Sequence, residues 1–305
     1  MEVHVRKVLW VVLLLLSPGV FAAYTDVDAN RITIDHVEGR GQGYSTGYTS
    51  LDLFWAEPLE GPNIAPFADI RGHCFNNGKW AANGGLGVRW VPDCSPFALG
   101  ANAYYDYLET ERRTWQQVSV GLEALGCHWD LRANGYIPVG ETKRLLYSFE
   151  YSTSRSDPFI LTGKMQSALY GVDTELGYHD YLTRDINFYA GVGPYVYWGR
   201  SAKVVNVWNR NTVSAPGVRM RFAATILDYI TIEGVATYDR EFHWTGQGTV
   251  AITIPFDILC DNDDEPCCKY DRRYYAPVLH NEIIAVDTIT RRTTNIDVLD
   301  PENEP

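Results

Sequence analysis

From about Arg31 to Asp257 apolar and polar residues exchange places at every second position. That is the period of a strand whose two faces meet different surroundings. Twelve such segments, most of them about 10 to 14 residues long, are separated by Gly, Pro, Asn and Asp. They are 31–38, 46–56, 63–75, 82–92, 96–109, 114–126, 127–139, 165–179, 186–199, 215–227, 229–241 and 246–257. The fifth sets Phe97, Leu99, Ala101, Ala103, Tyr105 and Tyr107 against Ala98, Gly100, Asn102, Tyr104 and Asp106. The twelfth sets Val250, Ile252, Ile254 and Phe256 against Thr249, Ala251 and Thr253.

Charge follows the same phase. Asp69, Arg71, Arg89, Asp106, Glu123, Asp130, Arg132, Asp173, Glu175, Arg219, Arg221 and Glu233 all fall on the polar side, and so do Asp52 and Asp239. A soluble sandwich would turn the apolar phase inward. An outer-membrane barrel would turn it to lipid and keep the charges in a wet lumen. Three features favour the barrel. The segments exceed the five or six residues usual in a sandwich and suit a tilted membrane strand of about 9–11. Aromatics gather near segment ends (Trp55, Trp90, Tyr105, Tyr107, Trp115, Trp129, Tyr178, Trp198, Tyr238 and Phe256), as in interfacial girdles. With the first strand rising from the periplasm, the two longest connections, 140–164 and 200–214, both fall outside. The expectation is an all-β, twelve-stranded, antiparallel transmembrane outer-membrane β-barrel. Strands about 4.8 Å apart and tilted about 40° give a backbone diameter of roughly 25 Å, room for one extended peptide or a slim helix.

The remaining composition narrows the surroundings. Residues 1–23 read as a signal peptide: His4, Arg6 and Lys7, then the apolar run Val8–Leu16, then Val20-Phe21-Ala22 before the cut. The run is too short to span a bilayer as a helix. A net charge of -12 with no basic tract argues against nucleic acid as a partner. Only 21% of residues are charged, which excludes a long coiled coil or a disordered chain.

An ordered set of motifs then points to a family. Gly84-Gly85-Leu86-Gly87-Val88-Arg89-Trp90 is followed by Leu99-Gly100-Ala101-Asn102-Ala103-Tyr104-Tyr105-Asp106-Tyr107, by Gly121-Leu122-Glu123-Ala124, and by Leu131-Arg132-Ala133-Asn134-Gly135-Tyr136-Ile137-Pro138. The set resembles the β-domain of inverse autotransporters, the intimin and invasin family. The carried-over motif residues are Gly87, Arg89, Asn102, Tyr105, Asp106, Asn134, Gly135 and Tyr136. The resemblance implies a barrel at 24–257, after the signal, and a linker in the tail 258–305 that threads back through the lumen. Arg272-Arg273-Tyr274-Tyr275-Ala276-Pro277-Val278-Leu279-His280-Asn281-Glu282-Ile283-Ile284 is similar to that linker. The family's linker leads to adhesive domains, whereas this tail is too short for one, so the expectation is a barrel without a large passenger. Alternating Ile252, Ile254 and Phe256 resemble the terminal signal read by the barrel insertion machinery, although ordinary strand alternation gives the same pattern.

Candidate chemistry is sparse. Cys74, Cys94, Cys127, Cys260, Cys267 and Cys268 sit where disulfides are permitted, and Cys260 with Cys267 or Cys268 could close a small loop. Paired Cys/His spacing of the zinc type is absent. Asp261-Asn262-Asp263-Asp264-Glu265 lacks the spacing of a calcium loop. Gly39-Arg40-Gly41-Gln42-Gly43 is a loop tip rather than a dinucleotide fingerprint. The lumen carboxylates have arginines to pair with, and no Ser/His/Asp grouping stands at an outer rim. No catalytic residue, cofactor or metal is therefore expected. The leading expectation is a translocator and anchor that exposes its own tail or loops at the cell surface. The alternatives are a passive pore with a periplasmic tail, and a surface adhesin meeting another cell through 140–164 and 200–214. Outer-membrane lipids and the insertion machinery are the expected partners.

Overall fold

The computed structural model describes residues 30–59, 61, 63–93, 95–110, 113–151, 159–183, 185–199, 213–256 and 272–293. Twelve strands close into one antiparallel barrel. They are β1 (Arg31–Gly39), β2 (Tyr48–Ala56), β3 (Ile64–Phe75), β4 (Trp80–Trp90), β5 (Ala98–Thr110), β6 (Arg113–Leu125), β7 (Trp129–Val139), β10 (Tyr170–Thr183), β11 (Ile186–Gly199), β12 (Val213–Ile226), β13 (Ile230–Asp239) and β14 (His243–Pro255). Between β7 and β10 the chain makes the hairpin β8 (Lys143–Tyr151) and β9 (Phe159–Ala168), and near the C-terminus comes β15 (Val286–Thr293). These three form a separate sheet in the order β15-β9-β8.

Closure follows from the need to pair every backbone group in hydrocarbon. The last seam runs from Arg31↔Pro255 to Gly39↔Gln247 without a slip. Around the rest of the barrel each strand pairs with its sequence neighbour, and β7 pairs directly with β10 across the excursion of the hairpin.

The two phases separate as a lipid face and a lumen face. Leu86, Leu122 and Phe222 point outward and are 70%, 66% and 63% exposed, while Arg89, Asp69 and Asp106 point inward at 0%. Outward aromatics pair at both ends of the wall. Trp80–Tyr107, Tyr170–Trp198 and Tyr238–Trp244 lie at one end. Trp55–Phe256 and Trp129–Tyr178 lie at the other. Trp80 and Trp90 begin and end β4. Ten residues at about 3.3 Å each, tilted about 40°, separate them by roughly 25 Å along the barrel axis, the height of an outer-membrane apolar band.

Two sequence expectations are corrected. The stretch 140–164 is not an open loop: most of it forms β8 and the first part of β9, and the strand expected at 165–179 is the end of β9 followed by β10. Trp115 does not join a girdle. It is 2% exposed and packs inside the lumen with Leu108 and Phe75. Its parity with Glu123 on β6 dictates that face. The expected signal at 1–23, Cys94, Cys260, Cys267, Cys268, the acidic run 261–265 and most of 200–214 lie outside the described residues.

The glycine motif has a packing reason. A Cβ on Gly85 would lie 2.3 Å from the Tyr104 ring, and one on Gly87 would lie 2.2 Å from the Phe67 ring. Each glycine stands directly opposite the aromatic residue whose ring occupies its place. The glycines thus let large rings lie flat against the lumen wall.

Candidate functional site

The candidate functional surface is the interior of the barrel. Strands of alternating parity deliver Asp69, Arg71, Arg89, Asp106, Glu123, Asp130, Arg132, Asp173, Glu175, Arg219, Arg221 and Glu233 to that interior. Opposite charges meet across and along the wall. Arg89 Nε is 2.7 Å from Glu123, Arg71 Nη2 2.6 Å from Asp69 and Arg132 Nη2 3.0 Å from Asp130. Arg219 lies 3.2 Å from Asp173, and Arg221 bridges Glu175 at 3.2 Å and Glu233 at 2.5 Å. Asp106 accepts from Asn83, Gln117 and Ser119 instead. Charges this dry persist only when paired and hydrogen-bonded.

Of the motif residues, Gly87, Arg89, Asn102, Asp106, Asn134 and Tyr136 stand on the inward parity of their strands, whereas Tyr105 and Gly135 stand on the outward one. Asn134 donates to Asp173, and Tyr136 donates to the other oxygen of the same carboxylate. Ile252 and Ile254 face lipid on β14, and Phe256 follows against Trp55. His179 is buried 3.6 Å from Asp130, while His128 is at the exposed rim. Cys74 and Cys127 are free and exposed.

Residues 272–286 occupy the lumen. A short 3-10 turn, Arg272–Tyr274, lies at the end where β1 begins, and the following residues, bent at His280 and Ile283, run to β15 at the other end. The wall holds this segment mostly by its main-chain carbonyls. Arg89 donates to Tyr274 O at 2.8 Å, Arg31 to Tyr275 O at 2.7 Å and Arg71 to Val278 O at 2.9 Å. Asn134 donates to Leu279 O at 3.0 Å and Asn83 to Glu282 O at 2.8 Å, while the Asn281 N–H donates to the Tyr136 hydroxyl. Side chains add further contacts. The Glu282 carboxylate pairs with Arg71, and the His280 ring lies 4.2 Å from the Tyr104 ring, with Nε2 3.8 Å from Asp106. Tyr274, Tyr275 and Val278 pack on Phe54, Phe67 and Tyr104 near the start of β1.

Sequence reasoning singled out the wall charges and the segment 272–284 but not Arg31, Asn83, His280 or Glu282 as contacts. Parity alone could have added Arg31 and Asn83. Nothing in the sequence marks a carbonyl as an acceptor for a residue some 200 positions away. Among the described residues, no group of three or more His, Cys, Asp or Glu side chains is placed to hold a metal ion.

A closed barrel with a lipid-facing apolar wall, aromatic ends and a charged interior defines an outer-membrane β-barrel protein. The resemblance read from the motifs is borne out: the family described as "Inverse autotransporter, beta-domain" matches residues 67–178. No curated protein matches the chain. A solved structure described as "Unveiling the Mechanism Behind the in-meso Crystallization of Membrane Proteins" is similar over 85% of this chain and 100% of its own, at 14% identity and a TM-score of 0.55, a likeness of fold. The translocator domain of autotransporter NalP from Neisseria meningitidis shares 12% identity over 84% of this chain and 95% of its own, at a TM-score of 0.34. Outer membrane phospholipase A from Escherichia coli shares 13% over 77% and 98%, at 0.40. The last two likenesses are too slight to carry an argument.

Proposed function

We propose that this barrel is a non-enzymatic translocator and surface anchor whose C-terminal segment passes outward through the lumen and stands at the cell surface. The observation that supports it is the row of buried wall donors bonded to the carbonyls of Tyr274, Tyr275, Val278, Leu279 and Glu282. Carbonyls recur in every polypeptide, so donors aimed at them hold an extended chain with little regard to its side chains. The charge pairs behind those donors keep them oriented. The barrel reaches the membrane through the insertion machinery, with Ile252, Ile254 and Phe256 as the signal it reads.

An epitope tag placed after Pro305 tests the reading. On intact cells, added protease should remove the tag while the barrel stays folded, judged by its heat-modifiable migration on gels. A tag that survives until the outer membrane is breached would sink the export reading and favour a pore with a periplasmic tail.

A further inference from the structure

The geometry points to a sequence-reading collar at the outer mouth of the lumen, which binds an acidic residue followed by two branched aliphatic residues and so fixes where an exported segment comes to rest. This rests on the translocator reading and supplies what the carbonyl row lacks, a means of stopping the chain in one register.

Ile283 and Ile284 are both buried, at 1% and 2% exposure. The backbone bends at Ile283, and both side chains enter one apolar cluster of the wall. On one side of the lumen stand Val37, Tyr48, Phe75, Ala81, Leu108 and Trp115 from the six successive strands β1 to β6, packed with Ile283, Ile284 and Val286. On the other side Tyr195, Tyr197 and Phe242 close around Ala285. Just below this apolar ring, Arg71 takes the Glu282 carboxylate while also holding Asp69. The three residues Glu282-Ile283-Ile284 thus meet a cation and then a greasy ring, a match that a shifted register would break.

The loop tip 39–43 completes the collar. Gly43 has φ +89°, and a Cβ there would lie 2.6 Å from the backbone N and O of Val286. Only glycine suits both the left-handed backbone and that approach. The neighbouring Tyr44 packs on Tyr48 and Phe75, with its hydroxyl accepting from Gln247 at 2.7 Å. Above the ring, β15 pairs with β9 over Val286↔Ala168 to Thr293↔Leu161, continuing the same register outside.

The pair Gln166↔Thr288 reports the register, since the Gln166 amide lies 3.4 Å from the Thr288 hydroxyl. Cysteines at both positions (Q166C and T288C) in the full chain should form a disulfide, identified by peptide mapping and quantified in folded, heat-modifiable protein. Adding I283S and I284S should lower the 166–288 link about tenfold or more, because two buried aliphatic side chains are lost. Adding E282Q, which keeps the shape and removes only the ion pair, should lower it as well, and G43A should do the same through Val286. Adding A276S, at a half-buried position below the collar, should leave the link at the parent level. A parent that links together with an I283S/I284S variant that links equally overturns the collar and leaves the translocator reading intact. A parent that stays reduced while folded overturns both.

Discussion

Arg89 is charged and dry at once. Its side chain is 0% exposed, against 2% for Glu123. The guanidinium lies 4.7 Å over the Phe67 ring and donates to Tyr274 O. Removing one partner from such a pair strands the other. Arg89→Met is expected to cost about 3–5 kcal/mol, the usual penalty for an uncompensated buried charge. Urea unfolding followed by loss of heat-modifiable migration measures it. The double variant R89M/E123L should recover most of that loss, since neither charge then remains. If the single and double variants unfold alike, the pair contributes nothing specific to the wall. Arg89 was legible as a lumen residue from parity alone. Its hold on the tail was not, because the acceptor is a main-chain oxygen.

At the scale of strands, the barrel is assembled from facing pairs of unequal size. Gly85 faces Tyr104 and Gly87 faces Phe67 across β3, β4 and β5. On the other side of the barrel Gly171 faces Tyr197 and Gly217 faces Tyr195, with the ring again filling the place of the Cβ. This explains why a wall can be rich in both glycine and tyrosine. Gly87→Val should destabilise by about 1–3 kcal/mol through overpacking, and Phe67→Leu in the same chain should restore much of it. Additive effects from the two changes would show that ring and glycine are not coupled. The motif that carried the family resemblance is therefore a packing code at Gly87 and a charge code at Arg89 and Asp106. The hairpin β8–β9 shows where reading by element failed. Its strands belong to a separate sheet with β15 and not to the barrel wall, where one face meets lipid and the other the lumen.

The whole molecule is a barrel with its lumen occupied. The tail is seated near both ends, on Phe54 and Phe67 at one and within the ring of Val37, Tyr48 and Trp115 at the other. Such a seal should pass few ions. In planar bilayers the intact chain is expected to be nearly silent, and deleting 272–293 should give a steady open channel. Equal conductance before and after the deletion would show that the segment does not fill the pore in a membrane.

The sequence by itself determined the two-faced wall, the number of barrel strands and the identity of its inward charges. Lipid and lumen make opposite demands on successive residues, and a period of two records that contrast directly. It misplaced Trp115 in an outward girdle because it lies near a strand end, although parity with Glu123 marks the inward face. Only the tertiary structure decided how Tyr274 to Val286 are held, why Gly43 must be bare, and that β15 finds β9. Those contacts join positions about 120 to 240 apart. They act through backbone atoms common to all residues, or through a ring that exists only once the barrel has closed, so no local pattern could announce them.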